Sequence, residues 1–241
     1  MLARFIHDEY VGPDEADIRG LFRSIGITKE QPFAPDSRTR AILDKAAATA
    51  FKMSHALVTG EIPPGGKIYA DMQWINCYLA KDPEFKINGA IDQDQRTVYF
   101  TFAFAISAAQ AMDVVGKGAK YLTAFRDADG DYLSGNTRYR LHVPPQVPVN
   151  NYWSVTLYDV ATASGLDNGQ RFPSISTFDK PITNADGSTD FYFGPTAPQS
   201  HEENWLRTVP GKGYFVIFRL YGPTQPYFDQ TWKLSDLEKA Q

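Results

Sequence analysis

The feature that most restricts how this chain can fold is a change of hydrophobic period to two after Gly118. Tyr139, Leu141 and Val143 alternate with Arg138, Arg140 and His142. Trp153, Val155 and Leu157 alternate with Tyr152, Ser154, Thr156 and Tyr158. Phe191 and Phe193 flank Tyr192, and Tyr214, Val216, Phe218 and Leu220 alternate with Phe215, Ile217, Arg219 and Tyr221. Successive side chains of a strand point to opposite faces, so each segment describes a strand with one face buried. Residues 120–126 lead into Asp127-Ala-Asp-Gly130, and Asn184-Ala-Asp-Gly187 marks a second turn, since Asp and Gly tolerate the positive φ that such turns need. Many short strands with turn signals between them predict an antiparallel sandwich or barrel. The aromatic share of 14% fits this, because aromatic rings suit a pleated, half-buried surface.

The first third reads differently. Gly12-Pro13-Asp14-Glu15 has proline in a first helical turn and acids at the positive end of the dipole. Ile18, Leu21, Phe22 and Ile25 follow at helical spacing, and Gly26 closes the segment. Pro35-Asp36-Ser37 opens a second helix with an apolar face of Ile42 or Leu43, Ala46, Ala47, Ala50, Met53 and Leu57, ended by Gly60. Pro63-Pro64-Gly65-Gly66 is a loop. Trp74 and Tyr78 fit the start of a helix or of a strand. The alanine-rich stretch 95–112 predicts one helix, against the pull of Tyr99, Phe100, Phe102 and Phe104. The expected division is a helical segment over 1–75 and a β domain over 76–241.

Composition narrows the functional classes. The 241 residues carry a net charge of −4 and no basic cluster, which argues against a nucleic-acid-binding module. One cysteine, Cys77, cannot form an internal disulfide and reads as a small core residue. No signal peptide is visible, and the most apolar stretch, 98–115, is too short and polar for a membrane span. Localisation is therefore open, with the cytoplasm as default. No nucleophile elbow, phosphate loop, dinucleotide fingerprint or zinc motif occurs, and no cofactor is expected.

Seven ordered blocks carry a family resemblance: Thr137-Arg-Tyr-Arg140, Trp153-Ser-Val-Thr-Leu-Tyr-Asp159, Gly169-Gln-Arg-Phe172, Asp186-Gly187, Asn204-Trp-Leu206, Arg219-Leu-Tyr-Gly-Pro223 and Trp232. Together they resemble the domain of unknown function 1214, most strongly over 127–232. The resemblance implies a mainly β fold, an antiparallel jelly-roll-like β sandwich with a helical N-terminal part. It also implies a chain that lacks the β domain preceding this one in longer members, many of which look exported. Two departures stand out. Arg207-Thr208 follows Asn-Trp-Leu where prolines are usual, and Gln230 and Lys233-Leu234-Ser235 replace a glycine and a proline around the last Thr-Trp.

Several constellations could carry chemistry. Asp127, Asp129 and Asp131 suggest a calcium loop, but the glycine stands at the fourth position and no closing glutamate follows, so an Asp-Gly turn is the better reading and no metal is expected. His201, Glu202 and Asp159 are the candidate acid and base groups of an enzyme. In the bland alternative, Asn204 bonds the backbone in a solvated loop and Trp205 plugs the sandwich. Arg138, Arg140 and Arg219 could grip an anionic or sugar ligand, or make cross-strand pairs with Asp127, Asp159 or Asp190. Tyr158, Trp205 and Tyr221 complete the candidate ligand-binding set, as stacking surfaces or as the rim of the core. Three functions stay open: a module binding a carbohydrate-like or other small polar ligand, a hydrolase or lyase acting on a glycan-like substrate, and an assembly subunit docking a second copy or a separate β domain.

Overall fold

The computed structural model describes residues 1–12, 15–60, 66–76, 82–103 and 106–240. Two compact units divide the chain, Met1–Met53 and Ser54–Gln241. The expectations placed on Pro13, Asp14, Pro63, Pro64, Gly65, Cys77 and Tyr78 lie outside the described residues.

The first unit holds α1 (Leu2–Asp8), α2 (Ala16–Ser24) and most of α3 (Ser37–Thr59). Helix α1 carried no signal in the sequence. Gly26 takes φ +84° just beyond α2, a backbone that L side chains rarely adopt. Asp36 caps α3 by accepting the Thr39 amide at 2.7 Å. Arg19 joins the pieces: its guanidinium donates to the carbonyls of Ile6 and Tyr10, both at 3.0 Å, and to Glu15. Ile6 and Ile27 are the buried apolar side chains of this unit among the described residues. The apolar face expected on α3 is exposed, at 56% for Ile42 and 62% for Met53.

The second unit takes in the end of α3 and, further along, the hairpin β1 (Lys86–Ile87) and β2 (Ala90–Ile91), followed by α4 (Gln93–Phe102) and α5 (Ala108–Ala111). The single helix expected over 95–112 is thus two. Ala103 turns to an extended backbone at the end of α4, and Ser107, also extended, starts α5. Eight further strands follow: β3 (Ala119–Ala124), β4 (Tyr139–Val143), β5 (Val149–Asp159), β6 (Ser174–Ser176), β7 (Thr189–Gly194), β8 (Trp205–Arg207), β9 (Tyr214–Pro223) and β10 (Leu237–Lys239). A short helix, α6 (Gln225–Phe228), precedes β10.

These strands build two four-stranded sheets, ordered β3-β9-β5-β6 and β10-β4-β7-β8. Every pair is antiparallel except β7 with β8, which is parallel, so the second sheet departs from the all-antiparallel expectation. The inward rows are those the alternation marked. Val155, Leu157, Val216, Phe218 and Leu220 of the first sheet share one core with Tyr139, Leu141, Phe191, Phe193 and Leu206 of the second. The chain is mixed α/β, with N-terminal helices before two mainly antiparallel sheets. Trp74 belongs to neither a helix nor a strand; it is fully buried in the same core and donates its indole N–H to the Ser235 carbonyl at 2.9 Å.

A third layer covers part of the first sheet's outer side. Phe215 points away from the sandwich core yet is 1% exposed. It packs with Val58 from the last turn of α3, with Ile75 and Phe125, and against Val98 and Phe102 of α4. Phe125 stacks on Phe215 at 4.9 Å, and Phe102 meets it edge-on at 5.1 Å. The Thr59 carbonyl at the end of α3 accepts the Tyr132 hydroxyl at 2.6 Å and a long bond from Arg126 at 3.5 Å, which satisfies an orphan helix-end carbonyl.

Truncating the centre of the sandwich should be costly. Phe218→Ala is expected to lower unfolding stability by about 3–5 kcal/mol, because it removes a fully buried ring and leaves a cavity. Urea denaturation measures this, and a loss under about 1 kcal/mol would contradict the core described here.

Candidate functional site

Register builds the site. On the outer side of the first sheet, Arg219 stands between Tyr121 of β3 and Ser154 of β5, and Ser154 stands beside Ser176 of β6. One row therefore runs Tyr121, Arg219, Ser154, Ser176 across all four strands. The next row toward the end of β9 pairs Tyr221 with Tyr152, and the row on the other side places Ile217, Thr156 and Ser174 in line. The third layer closes the end of this face that holds Phe215, Ile217 and Tyr158. The end around Arg219, Tyr152 and Tyr221 is the part-open one.

Here the rings stack. Tyr152 and Tyr221 lie face to face at 4.1 Å and 15°, and the exposed Phe178 meets Tyr152 at 5.0 Å. Burial first, and then the Tyr152 hydroxyl, push the Tyr221 phenol up to about 12, so it stays neutral at ordinary pH. Arg219 donates to the Tyr158 hydroxyl and, at 3.2 Å, to Thr156 Oγ1. Thr156 Oγ1 lies 2.8 Å from Ser174 Oγ, and Ser174 donates to the Val155 carbonyl at 3.1 Å. That order fixes the direction of the chain: Thr156 accepts from Arg219 and donates to Ser174. Ser154 and Thr156 are buried, and Thr156 supports the arginine from below, while Arg219, Tyr152, Tyr158, Ser176 and Tyr221 are half-buried.

The second sheet presents another polar outer face. Its row runs Glu238, Arg140, Tyr192, Trp205 across β10, β4, β7 and β8. Arg140 is neutralised by Glu238 at 2.9 Å. Beside this row His142 Nδ1 meets Asp190 Oδ1 at 2.8 Å, and Asn184 donates to the other Asp190 oxygen at 3.0 Å. His201 packs on Tyr192 at 4.6 Å, where burial and then Asp190 raise the Tyr192 phenol.

The residues singled out in the sequence thus divide between the two sheets. Tyr158, Arg219 and Tyr221 share the first sheet's outer face. Arg140, His201, Glu202 and Trp205 lie on or beside the second. Arg138, just before β4, donates to Thr196 at 3.0 Å. The three arginines do not cluster, and none takes the expected pairing: Asp127 is met by Lys239, Asp159 by Lys212 and Asp190 by His142. Asn204 bonds the backbone at Ile182 and Asp190, as expected. Trp205, by contrast, stands half-buried outside with its indole on the Gly194 carbonyl, and Leu206 fills the core instead. Strand alternation turns these neighbours to opposite faces.

Two acidic places have internal cations. Asp127, Asp129 and Asp131 bring carboxylate oxygens within 4.8 Å of one another. The Lys239 ammonium sits among them at 3.4, 3.0 and 2.6 Å, and ties the end of β10 to this turn. Asp159 accepts from Lys212 at 2.8 Å and from the Ala161 amide at 2.8 Å. The histidine–aspartate pair and the hydroxyl chain under Arg219 were missed in the sequence. Alternation does mark His142, Thr156 and Ser154 as outward-facing, but not which residues meet them across the sheet. A small open cleft of about 230 Å³ lies elsewhere, lined by Val58, Thr59, Gly60, Gln73, Ile75, Phe125 and Arg126. Most of that space is open to solvent, and what is enclosed, about 10 Å³, holds about one water molecule.

Fold and site together define a two-sheet β domain with a helical N-terminal part and polar, aromatic-lined outer faces. Residues 118–225, from β3 through β9, match the family model described as "Protein of unknown function (DUF1214)", so this stretch of the chain is similar to that family. Among solved structures, the VPA0106 protein from Vibrio parahaemolyticus aligns with 98% of this chain at 16% identity and a TM-score of 0.50, a likeness of fold. The chain spans about half that protein's length, 53%. An uncharacterised protein from Burkholderia cenocepacia matches 51% of this chain and 30% of its own at 19% identity and a TM-score of 0.39. No curated protein matches.

The Asp159–Lys212 pair should make stability depend on pH. Burial raises the Asp159 carboxyl, but the bonds from Lys212 and from the Ala161 and Thr162 amides outweigh it, and the net displacement is downward. A depressed carboxyl stabilises the fold above its unfolded value of 3.8, and the contribution fades as pH falls through the lower folded value. Asp159→Asn is expected to cost about 1–3 kcal/mol at pH 7 and much less at the acid end of that window. Thermal unfolding from pH 7 down to acid checks both, and an equal loss at every pH would refute the assignment.

Proposed function

We propose that the open end of the first sheet's outer face binds a small polar, ring-bearing ligand of the carbohydrate type. The single observation that carries this is the stacked Tyr152–Tyr221 pair beside the half-buried guanidinium of Arg219. A flat apolar ring face next to a forked donor is the chemistry that recognises a sugar, whose ring has an apolar face and a polar edge. The jelly-roll-like reading of the two sheets belongs to this proposal, since such sandwiches often carry ligands on a sheet face. Of the candidate ligand residues, Tyr158, Arg219 and Tyr221 serve this face. Arg138, Arg140 and Trp205 would belong to a second, separate contact on the other sheet.

An acid–base enzyme built on Asp159, His201 and Glu202 has less support. Asp159 is held by Lys212 at the end of β5, whereas His201 and Glu202 precede β8 in the other sheet. Docking of a second copy or a separate β domain draws on the exposed Ile42 and Met53 of α3. Light scattering coupled to size exclusion tests that reading, and a monomer at every concentration would count against self-docking.

Saturation-transfer NMR with D-glucose and D-glucuronate tests the binding proposal. At least one sugar is expected to receive saturation from the intact protein. Tyr221→Ala should weaken that binding at least roughly fivefold through loss of the stacking surface, with an unchanged circular dichroism spectrum. No transfer to either sugar would overturn the proposal.

A further inference from the structure

Resting on that reading of the site, we infer that its ligand carries a carboxylate and that Arg219 is the group that reads it. The inference stands on where this guanidinium's charge is left. Arg219 is half-buried in the middle of the sheet, on the row between Tyr121 and Ser154. Its two bonds, to Tyr158 and Thr156, go to neutral hydroxyls. Among the described residues no carboxylate lies within ion-pair distance of it.

Several other cations in and beside these sheets meet carboxylates. Lys120 pairs with Asp113 at 2.8 Å, Arg140 with Glu238 at 2.9 Å, and Lys212 with Asp159 at 2.8 Å. Lys239 is met by three carboxylates at once. Removing part of a cation's hydration without supplying an anion costs free energy, and a protein that places one so either compensates elsewhere or receives the anion from a ligand.

The surroundings suit a carboxylate. Guanidinium presents a planar fork that matches a carboxylate's two oxygens, and its donors beyond those given to Tyr158 and Thr156 remain for a ligand. The Tyr158 hydroxyl accepts from Arg219, which leaves its own proton to donate to the same ligand oxygen. Thr156 has already committed its proton to Ser174, so it holds the arginine in place and cannot compete for the anion. Tyr221 stays neutral and brings no opposing charge. The Tyr152–Tyr221 stack lies one row away along the strands, near enough for one uronate-type sugar to lay its ring there and reach Arg219 with its acid group.

Isothermal titration at pH 7 of D-glucuronate and D-glucose into the intact chain, Arg219→Gln and Arg219→Lys tests this. Glucuronate is expected to bind the intact chain roughly tenfold to a hundredfold more tightly than glucose. Arg219→Gln should erase that preference by weakening glucuronate far more than glucose, and Arg219→Lys, which keeps the charge but loses the fork, should retain only part of it. If both sugars bind alike and neither variant changes their ratio, the carboxylate inference is overturned while the sugar-binding reading stands. If neither sugar binds, that reading fails and the inference with it. Should Arg219→Gln fail to fold, Arg219→Lys and the intact chain still decide, because a preference absent from the intact chain, or undiminished in the lysine variant, would also overturn it.

Discussion

Trp153 lies flat on Phe218 of its own sheet at 5.2 Å and meets the edge of Phe191 in the opposite sheet at 5.7 Å. This contact sits where the two sheets close on one another, and most of the second unit depends on that closure. Each strand turns every other residue inward, so filling the shared core commits the alternate residues to the outside. A slip of one residue would bury Arg219 and expose Phe218. The burial of aromatic and aliphatic area therefore fixes the register, and the register fixes the composition of both outer faces.

The first sheet's outer face is then divided by the helical layer. Phe215 and Ile217 need cover and receive it from Val58, Val98, Phe102 and Phe125. The cover ends short of Tyr221 and Tyr152, and the boundary falls at Tyr158, whose ring packs on Phe215 at 5.1 Å and whose hydroxyl accepts from Arg219. One strand pair, β5 with β9, thus supplies apolar support at one end and polar, stacked rings at the other. The second sheet has no such division among the described residues: its outer row pairs Arg140 with Glu238 and His142 with Asp190, as a solvated face does.

Much of this was legible in the residues. The inward rows of β4, β5, β7 and β9 follow the alternation, the Asp-Gly turns stand where they were expected, with Gly130 and Gly187 at φ +86° and +84°, and α3 begins at Ser37 under its Asp36 cap. What failed did so for identifiable reasons. The stretch 95–112 looked like one helix because alanines carry no periodic signal of their own, and Ala103 gives no local warning of its extended backbone. Of the two readings of Trp205, the plug of the sandwich fails, because β8 joins β7 in parallel with Leu206 beside Phe193, and that register sends Trp205 out.

By itself the sequence determined strands β4, β5, β7 and β9, the Asp-Gly turns and which side chains of those strands point together, because these follow from covalent geometry repeated every two residues. It placed Tyr158, Arg219 and Tyr221 on outward rows. It could not say that Arg219 would sit over Thr156, 63 residues away in sequence, or that Tyr152 would stack on Tyr221. Those neighbours are set by strand order and register, which depend on how the whole core packs. Only the tertiary structure decided that Arg140 finds a carboxylate while Arg219, an outward arginine of the same kind, is held by neutral hydroxyls.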